Sequence, residues 1–364
     1  MFGRSFRVAT IAGVPVHVDS SWIWIAVFIT YSLWLRFHGV TGGPVRGLLL
    51  AVLTAGLFFG AVLLHELAHA LAARAQRIPV FGITLVIFGG FTSARSSERG
   101  PGPAFLIAAV GPATSLALGG IFWGLSRAFE GTSPALAGAF GSVGWVNLFM
   151  AGFNVLPGLP LDGGRMLQAA VWRVTGRSDL GTRVAAAGGI AVSVLLLAGA
   201  GFEVLRQDLV AALWLAIVAS FIYRGSRDAE RSARAAERLA DGRVADVLEP
   251  PPPIVPAGIP LSEALDRFLR GHERQAFPVG EDGRIVGLVS FGSAREVGVV
   301  DPLRPVRDAL IPLDEVLILD PDEPLDDVAT RLADGRLALV LRDGELLGTV
   351  SGERVLAWAT GRST

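Results

Sequence analysis

Long runs without a charged residue fill the first part of the chain and stop near Tyr223. Such windows mark membrane spans. Six are predicted. Ser20–Leu35 is rather short, with Trp22, Trp24 and Trp34 near its ends as interfacial anchors. Gly47–Ala73 and Pro101–Ser126 follow, then Gly131–Leu161, which is long, Gly-rich and dotted with polar residues. Val184–Phe202 is the fifth and Leu209–Tyr223, again short, the sixth. Two shorter stretches read as strands instead. Val14–Asp19 alternates like an edge strand ahead of the first span. Val80–Ser93 is β-rich, too short to span and broken by Gly89-Gly90, which predicts a membrane-dipping hairpin or edge strand.

Beyond Tyr223 the pattern changes. Arg224–Arg243 is charged and Ala-rich, a helical linker by composition, and the remainder reads as soluble and internally repeated. Asp282-Gly283…Gly287-Leu288-Val289-Ser290 recurs 61 residues later as Asp343-Gly344…Gly348-Thr349-Val350-Ser351. Val244-Ala245-Asp246-Val247-Leu248 returns as Val306-Arg307-Asp308-Ala309-Leu310, and Pro260-Leu261 as Pro324-Leu325. Each copy predicts a strand, an amphipathic helix, two strands joined by an Asp-Gly turn, and a closing helix. The expected division is a membrane domain over 1–225, the linker over 226–242 and the tail over 243–364, its copies near 243–300 and 301–360.

Composition agrees with that picture. Of 364 residues, 51% are hydrophobic and only 18% charged, and mean hydropathy is +0.52, well beyond soluble averages. A net charge of −1 says nothing about partners, and no basic tract suggests nucleic acid as one. The first apolar run is expected to be retained as a span, because no small-residue cleavage site precedes a soluble domain. With six spans both termini share one side. Arg4, Arg7, Arg74, Arg77, Arg95, Arg99, Arg165, Arg173, Arg177, Arg183, Arg224 and Arg227 fall there, against Arg36, Arg46, Arg127 and Arg206 opposite. That bias predicts cytoplasmic termini in a multi-pass protein of the cell (inner) membrane.

Candidate chemistry concentrates at one point. The second predicted span holds His65-Glu66-Leu67-Ala68-His69, and Glu66 is its only charge. Residues four apart share a helix face, so both imidazoles reach one metal ion. Glu66 is placed to act as general base toward a water that the metal activates. Ionisable groups inside a span are costly and mark function. A tetrahedral catalytic zinc takes three protein ligands and leaves one position open. The chain has no cysteine and five histidines; His17 and His38 fall at the membrane rim and His272 in the tail. The third ligand is therefore expected to be a carboxylate. No acid occurs from Thr132 to Leu161, and Asp162 follows at once. Pro157 and Pro160 break the helix before it, and Gly163-Gly164 lets backbone approach the metal. Alone, Asp162 would read as a turn cap; beside HELAH it reads as a ligand of one Zn2+ per chain. A non-hydrolytic zinc-binding protein or metal carrier is the alternative, but a carrier spreads polar groups along several spans. A nucleotide sensor with a membrane anchor would leave HELAH without a purpose.

These residues carry a family resemblance. HELAH in the second of six spans, with Phe153-Asn154-Val155-Leu156-Pro157-Gly158-Leu159-Pro160-Leu161-Asp162-Gly163-Gly164 ending the fourth, resembles the site-2 protease family of intramembrane zinc metalloproteases. Asn147-Leu148-Phe149-Met150, Gly111-Pro112 with Gly119, and Gly89-Gly90 join a match covering roughly Val8–Tyr223. Ser115 departs from it, standing where the family often has Asn. The resemblance implies zinc ligands His65, His69 and Asp162, general base Glu66, and Asn154 as hydrogen-bond donor to the transition state. Packing between spans is the other reading of Asn154 and the favoured one for Asn147. The substrate it implies is the transmembrane segment of a single-span regulator, such as a membrane-tethered anti-sigma or transcription factor. Cleavage would fall near the cytoplasmic face, with Val80–Ser93 holding the segment extended.

The tail resembles a tandem CBS pair, a module that commonly binds adenine nucleotides. Such pairs commonly end each motif with an Asp that holds ribose; this chain has Ser293 and Arg354 there. ATP and AMP binding is accordingly expected to be weak or absent, with the pair serving regulation or homodimerisation by family analogy. The fold class expected is an α-helical polytopic membrane protein of six transmembrane helices with a short membrane-associated β segment, joined to a soluble α/β tandem CBS domain.

Overall fold

The computed structural model describes residues 5–86, 89–94, 100–272, 275–332, 337–343 and 345–361. Ile87 and Phe88 of the expected hairpin, Arg4, Arg95 and Arg99 of the arginine bias, and Gly344 of the second repeat lie outside these. The chain forms two compact units, Met1–Glu230 and Arg231–Thr364.

The first unit opens with β1 (Ser5–Ile11) and β2 (Val14–Asp19), a hairpin that turns on Ala12 and Gly13, both at positive φ. Asp19 ends β2 and caps α1 (Ser20–Phe37), its carboxylate accepting the Ser21 N–H at 2.9 Å. Next come α2 (Pro44–Ala75), β3 (Val80–Val86), β4 (Gly89–Ala94), α3 (Pro101–Phe129) and α4 (Pro134–Asn154). The unit continues with α5 (Asp162–Thr175), α6 (Ser178–Leu205) and α7 (Leu209–Asp241).

Among the described residues, α2, α3, α4, α6 and α7 are long and apolar enough to cross a membrane. The first predicted span, α1, is not in that set. Its 18 residues rise about 27 Å, and tryptophans, Tyr31 and Arg36 dilute its hydropathy. The fourth span also differs: it ends at Asn154, not Leu161, because Pro157 and Pro160 cannot donate to a continuing helix. After it stands α5, which no hydrophobic window announced. It is strongly amphipathic, half polar, and packed by one face. The linker expected after Tyr223 continues the last span within α7, since its Ala, Arg and Glu are good helix formers.

The strands form one sheet in the order β1-β2-β3-β4. β2 pairs with β3 in parallel, Val16 opposite Ile83, and β3 with β4 antiparallel. Val14–Asp19 is therefore an interior strand, not the edge its alternation predicted; the exposed, weakly patterned Ser5–Ile11 supplies that edge. Val86 pairs with Gly89 and Leu85 with Gly90, so both glycines lie within β4. Val14, Ile83 and Leu85 pack on Val62, Leu67 and Ala70 of α2, seating the sheet against the turns that carry HELAH.

In the second unit both repeats have the expected order. The first comprises β5 (Val255–Pro256), α8 (Leu261–Ala264), β6 (Ala276–Glu281), β7 (Arg284–Ser290) and α9 (Phe291–Gly298), with β8 (Ile311–Pro312) completing its sheet. The second comprises β9 (Leu317–Leu319), α10 (Leu325–Arg331), β10 (Leu337–Arg342), β11 (Glu345–Ser351) and α11 (Gly352–Thr360). Asp282 and Gly283 take the positive φ that a two-residue hairpin needs. The cores exchange their leading segments: Val306 and Ala309 pack in the first repeat's core, Val244 and Val247 in the second's. Neither repeat closes its core alone.

Candidate metal centre

His65 and His69 lie on one face of α2, as their spacing requires, and both are buried. Asp162, the first residue of α5, comes to them from across the bundle. Its Oδ2 is 3.2 Å from Nε2 of His65 and 3.3 Å from Nε2 of His69, and the two Nε2 atoms are 3.2 Å apart. The three atoms form a nearly equilateral triangle. A tetrahedral zinc with ligand bonds of about 2.0–2.1 Å has ligand edges of about 3.3–3.4 Å, so the donor set fits that ion in number, type and spacing.

The far side of each imidazole fixes which atom faces the triangle. His69 Nδ1 lies 2.6 Å from the carbonyl oxygen of Ile107. A carbonyl only accepts, so Nδ1 carries the proton and the lone pair of Nε2 points inward. His65 Nδ1 lies 2.8 Å from Oγ of Ser115. The His69 lone pair and a carboxylate oxygen thus converge on one point with Nε2 of His65 beside them, an arrangement that a cation relieves. Glu66 is buried beside them at 8% exposure.

Helix α3 makes room for the triangle. A Cβ on Gly111 would overlap the His69 ring and stand 2.7 Å from Nε2 of His65. Pro112 follows it inside the helix. Lacking an N–H, it leaves the Ala108 carbonyl without its helical donor and loosens the turn beside the Ile107 carbonyl that His69 uses.

Asp162 is positioned by the irregular segment before it. The Leu159 N–H donates to the Ala185 carbonyl of α6 at 3.0 Å, and the Leu159 carbonyl accepts from Ser226 Oγ of α7 at 2.6 Å. Glycines bring these chains together. A Cβ on Gly163 would overlap the Val155 and Leu156 carbonyls, one on Gly164 the backbone of Gly158 and Leu159, and one on Gly189 the Leu159 carbonyl. The sequence signalled Gly163 and Gly164 but not what they meet, and gave no sign of Gly189.

The other candidates are sorted by the same geometry. Asn154 ends α4 and is half-buried. Asn147, one face-repeat earlier, is buried and donates Nδ2 to the Val143 carbonyl at 2.9 Å. His17 sits in β2 and His38 at the end of α1; neither belongs to a metal-ligand cluster among the described residues. Sequence reasoning missed Ser115, Ile107 and Gly111 as supports of the histidines. The Gly111-Pro112 pair inside an apolar helix was the available sign.

Comparison with known proteins identifies the family of the chain. The model of peptidase family M50 matches residues 53–140 and 131–198, and the CBS domain model matches 244–298 and 306–361. A protein of Mycobacterium tuberculosis named as zinc metalloprotease Rip3 is 37% identical over 335 residues, 89% of this chain and 84% of the relative. A Synechocystis protein named as zinc metalloprotease sll0528 is 30% identical over 366 residues, 97% of this chain and 95% of the relative. A solved site-2 protease from Methanocaldococcus jannaschii is 24% identical, with TM-score 0.44, covering 62% of this chain and 95% of that one. The chain belongs to peptidase family M50, as a zinc metalloprotease with membrane helices and a tandem CBS pair.

Proposed function

We propose that His65, His69 and Asp162 bind one zinc ion and that Glu66 is the general base of peptide-bond hydrolysis inside the membrane. The observation carrying this reading is the convergence of three ligand atoms, 3.2–3.3 Å apart, within an apolar bundle. Zinc, when bound, polarises the scissile carbonyl and makes water acidic enough to attack near neutral pH. Glu66 accepts the proton of that water and passes it to the leaving amine. Asn154 donates an N–H to the oxygen that gains charge as the carbonyl is attacked. The burial of the site keeps bulk water away and strengthens each of these interactions.

The substrate we infer is the transmembrane segment of a single-span regulatory protein, cut near the cytoplasmic face. A helical segment hides its carbonyls, so it must be drawn out before attack. β4, the outermost strand of the sheet among the described residues, offers edge backbone groups for that purpose beside the helix that carries HELAH. The arginine bias supports cytoplasmic termini in the cell membrane, with α1 as a short first span. Its exposed Ile23, Trp24, Val27 and Phe28 suit lipid.

We take 1–225 as the protease domain, 226–242 as linker and 243–364 as the CBS pair, a regulatory or dimerising module. Weak nucleotide binding is supported by the two residues standing where the ribose Asp commonly lies. Ser293 Oγ accepts the Ser290 N–H at 3.1 Å within the cap of α9, and Arg354, in the first turn of α11, gives its own N–H to Ser351 Oγ at 3.2 Å.

Co-expression with a panel of single-span proteins tests the activity. Glu66→Gln is expected to abolish release of cytoplasmic fragments while retaining zinc, because the base is lost and the ligands remain. His65→Ala, His69→Ala and Asp162→Ala are expected to lose both. Full cleavage by Glu66→Gln would overturn the mechanism, and unchanged zinc content in Asp162→Ala would remove Asp162 as a ligand.

A further inference from the structure

The two histidines are held by different kinds of partner, and the difference has a consequence for the metal. His69 Nδ1 faces a backbone carbonyl, Ile107 O, at 2.6 Å. No side-chain substitution at position 107 removes that acceptor, and it permits only the tautomer with the proton on Nδ1. His65 Nδ1 faces the hydroxyl of Ser115 at 2.8 Å. A hydroxyl both donates and accepts, so it can stabilise either tautomer, and it is removable by mutation. Ser115 is completely buried (0% exposed) on the face of α3 that also carries Gly111, and no water can easily replace it there.

We propose that Ser115 is a positioning residue for the metal centre: its hydroxyl accepts the Nδ1–H of His65 and holds the ring with Nε2 toward Asp162 and His69. The proposal rests on the ligand assignment of the preceding section. Without that acceptor the His65 ring gains freedom about its χ angles, and the tautomer that turns a lone pair toward the metal loses its hydrogen-bond partner. His65 is then the weaker leg of the site, and position 115 sets how tightly the ion is kept. This is chemistry of the imidazole ligand and its acceptor, so it is visible in metal affinity before any substrate is added. Thr114 supplies the internal control. It is the adjacent residue of the same helix, and its hydroxyl is spent on its own helix, donating to the Val110 carbonyl at 2.8 Å.

The test uses the full chain in detergent, with zinc affinity measured by chelator competition and Co2+ binding followed by its visible spectrum. Ser115→Ala is expected to weaken zinc binding about 10- to 100-fold, the usual effect of losing a hydrogen-bond partner of a ligating histidine. It should also change the Co2+ ligand-field bands, with Thr114→Ala matching the unmodified chain in both. Ser115→Cys, which keeps the volume but accepts hydrogen bonds poorly, is expected to fall between, and carries the test if Ser115→Ala does not fold. Zinc affinity within twofold of the unmodified chain in the folded position-115 variant would overturn the proposal, as would an equal loss in Thr114→Ala. The ligand assignment fails separately: it is lost if His65→Ala binds zinc normally, and stands if that variant loses zinc whatever position 115 does.

Discussion

The metal centre is built from two halves that differ in how the chain produces them. One is local: a regular helix places His65 and His69 on the same face by its period alone, and their neighbours in sequence decide nearly everything. The other is not. Asp162 follows a segment that is neither helix nor strand, and its place depends on α5, α6 and α7 closing on residues 155–161 through hydrogen bonds and glycines remote in sequence. A ligand pair on one helix is cheap to specify and robust to change around it. A ligand delivered by a loop is only as well placed as the least replaceable of its supports, so sensitivity to mutation should concentrate around the loop.

The largest effect is expected where backbone passes backbone. Gly163→Ala and Gly189→Ala each place a methyl group into a carbonyl that cannot move without shifting the 155–161 segment. Overpacking of this kind costs about 1–3 kcal/mol, and here the strain is released by moving Asp162. Zinc affinity should fall about 100-fold in chelator competition, with cleavage lost in proportion. Retention of full affinity by both variants would show that the loop half tolerates displacement as well as the helix half does.

Next in size is the hydroxyl that pins the loop. Ser226 is fully buried and donates to the Leu159 carbonyl at 2.6 Å while lying 2.8 Å from the Ile222 carbonyl of its own helix. Ser226→Ala leaves the Leu159 carbonyl without that donor, a cost of about 1–3 kcal/mol. Part of this is absorbed as loop motion, so roughly a tenfold loss of zinc affinity is expected. A loss of thermal stability without any change in zinc affinity would mean that Ser226 supports the bundle but not Asp162.

The same contrast explains what the sequence revealed. HELAH, the apolar windows, the tail repeat and its Asp-Gly turn at Asp282 depend on residues close in sequence, and all were readable. Asp162 was readable as a residue, since no other acid stood near it, but not as the start of a helix. The amphipathic α5 has about as many polar as apolar residues, so a search for charge-free windows passes over it. The strand β1 was missed because Ser5–Thr10 are exposed on both faces and carry no alternation to read. Ser115 was legible only as a departure from the family pattern, and the Ile107 carbonyl not at all, for a stricter reason. Which hydroxyl and which carbonyl meet the histidines is set by how α3 lies against α2, and no period within either helix encodes that.

The smallest effect is expected on the helix that carries the histidines. Gly56 and Gly60 lie one to three turns before His65, and a Cβ on either would meet nothing within 4 Å. Alanine at these positions removes backbone freedom from the unfolded chain and is favoured in a helix by about 0.8–1 kcal/mol. Gly56→Ala and Gly60→Ala should therefore keep zinc affinity within about twofold and leave thermal stability equal or slightly raised. These glycines are nearer in sequence to the ligands than Gly189 is, so proximity along the chain and proximity to the loop make opposite forecasts. If Gly60→Ala weakens zinc binding as much as Ser226→Ala, the helix half is not self-sufficient, and its apparent robustness depends on packing that its regular geometry conceals.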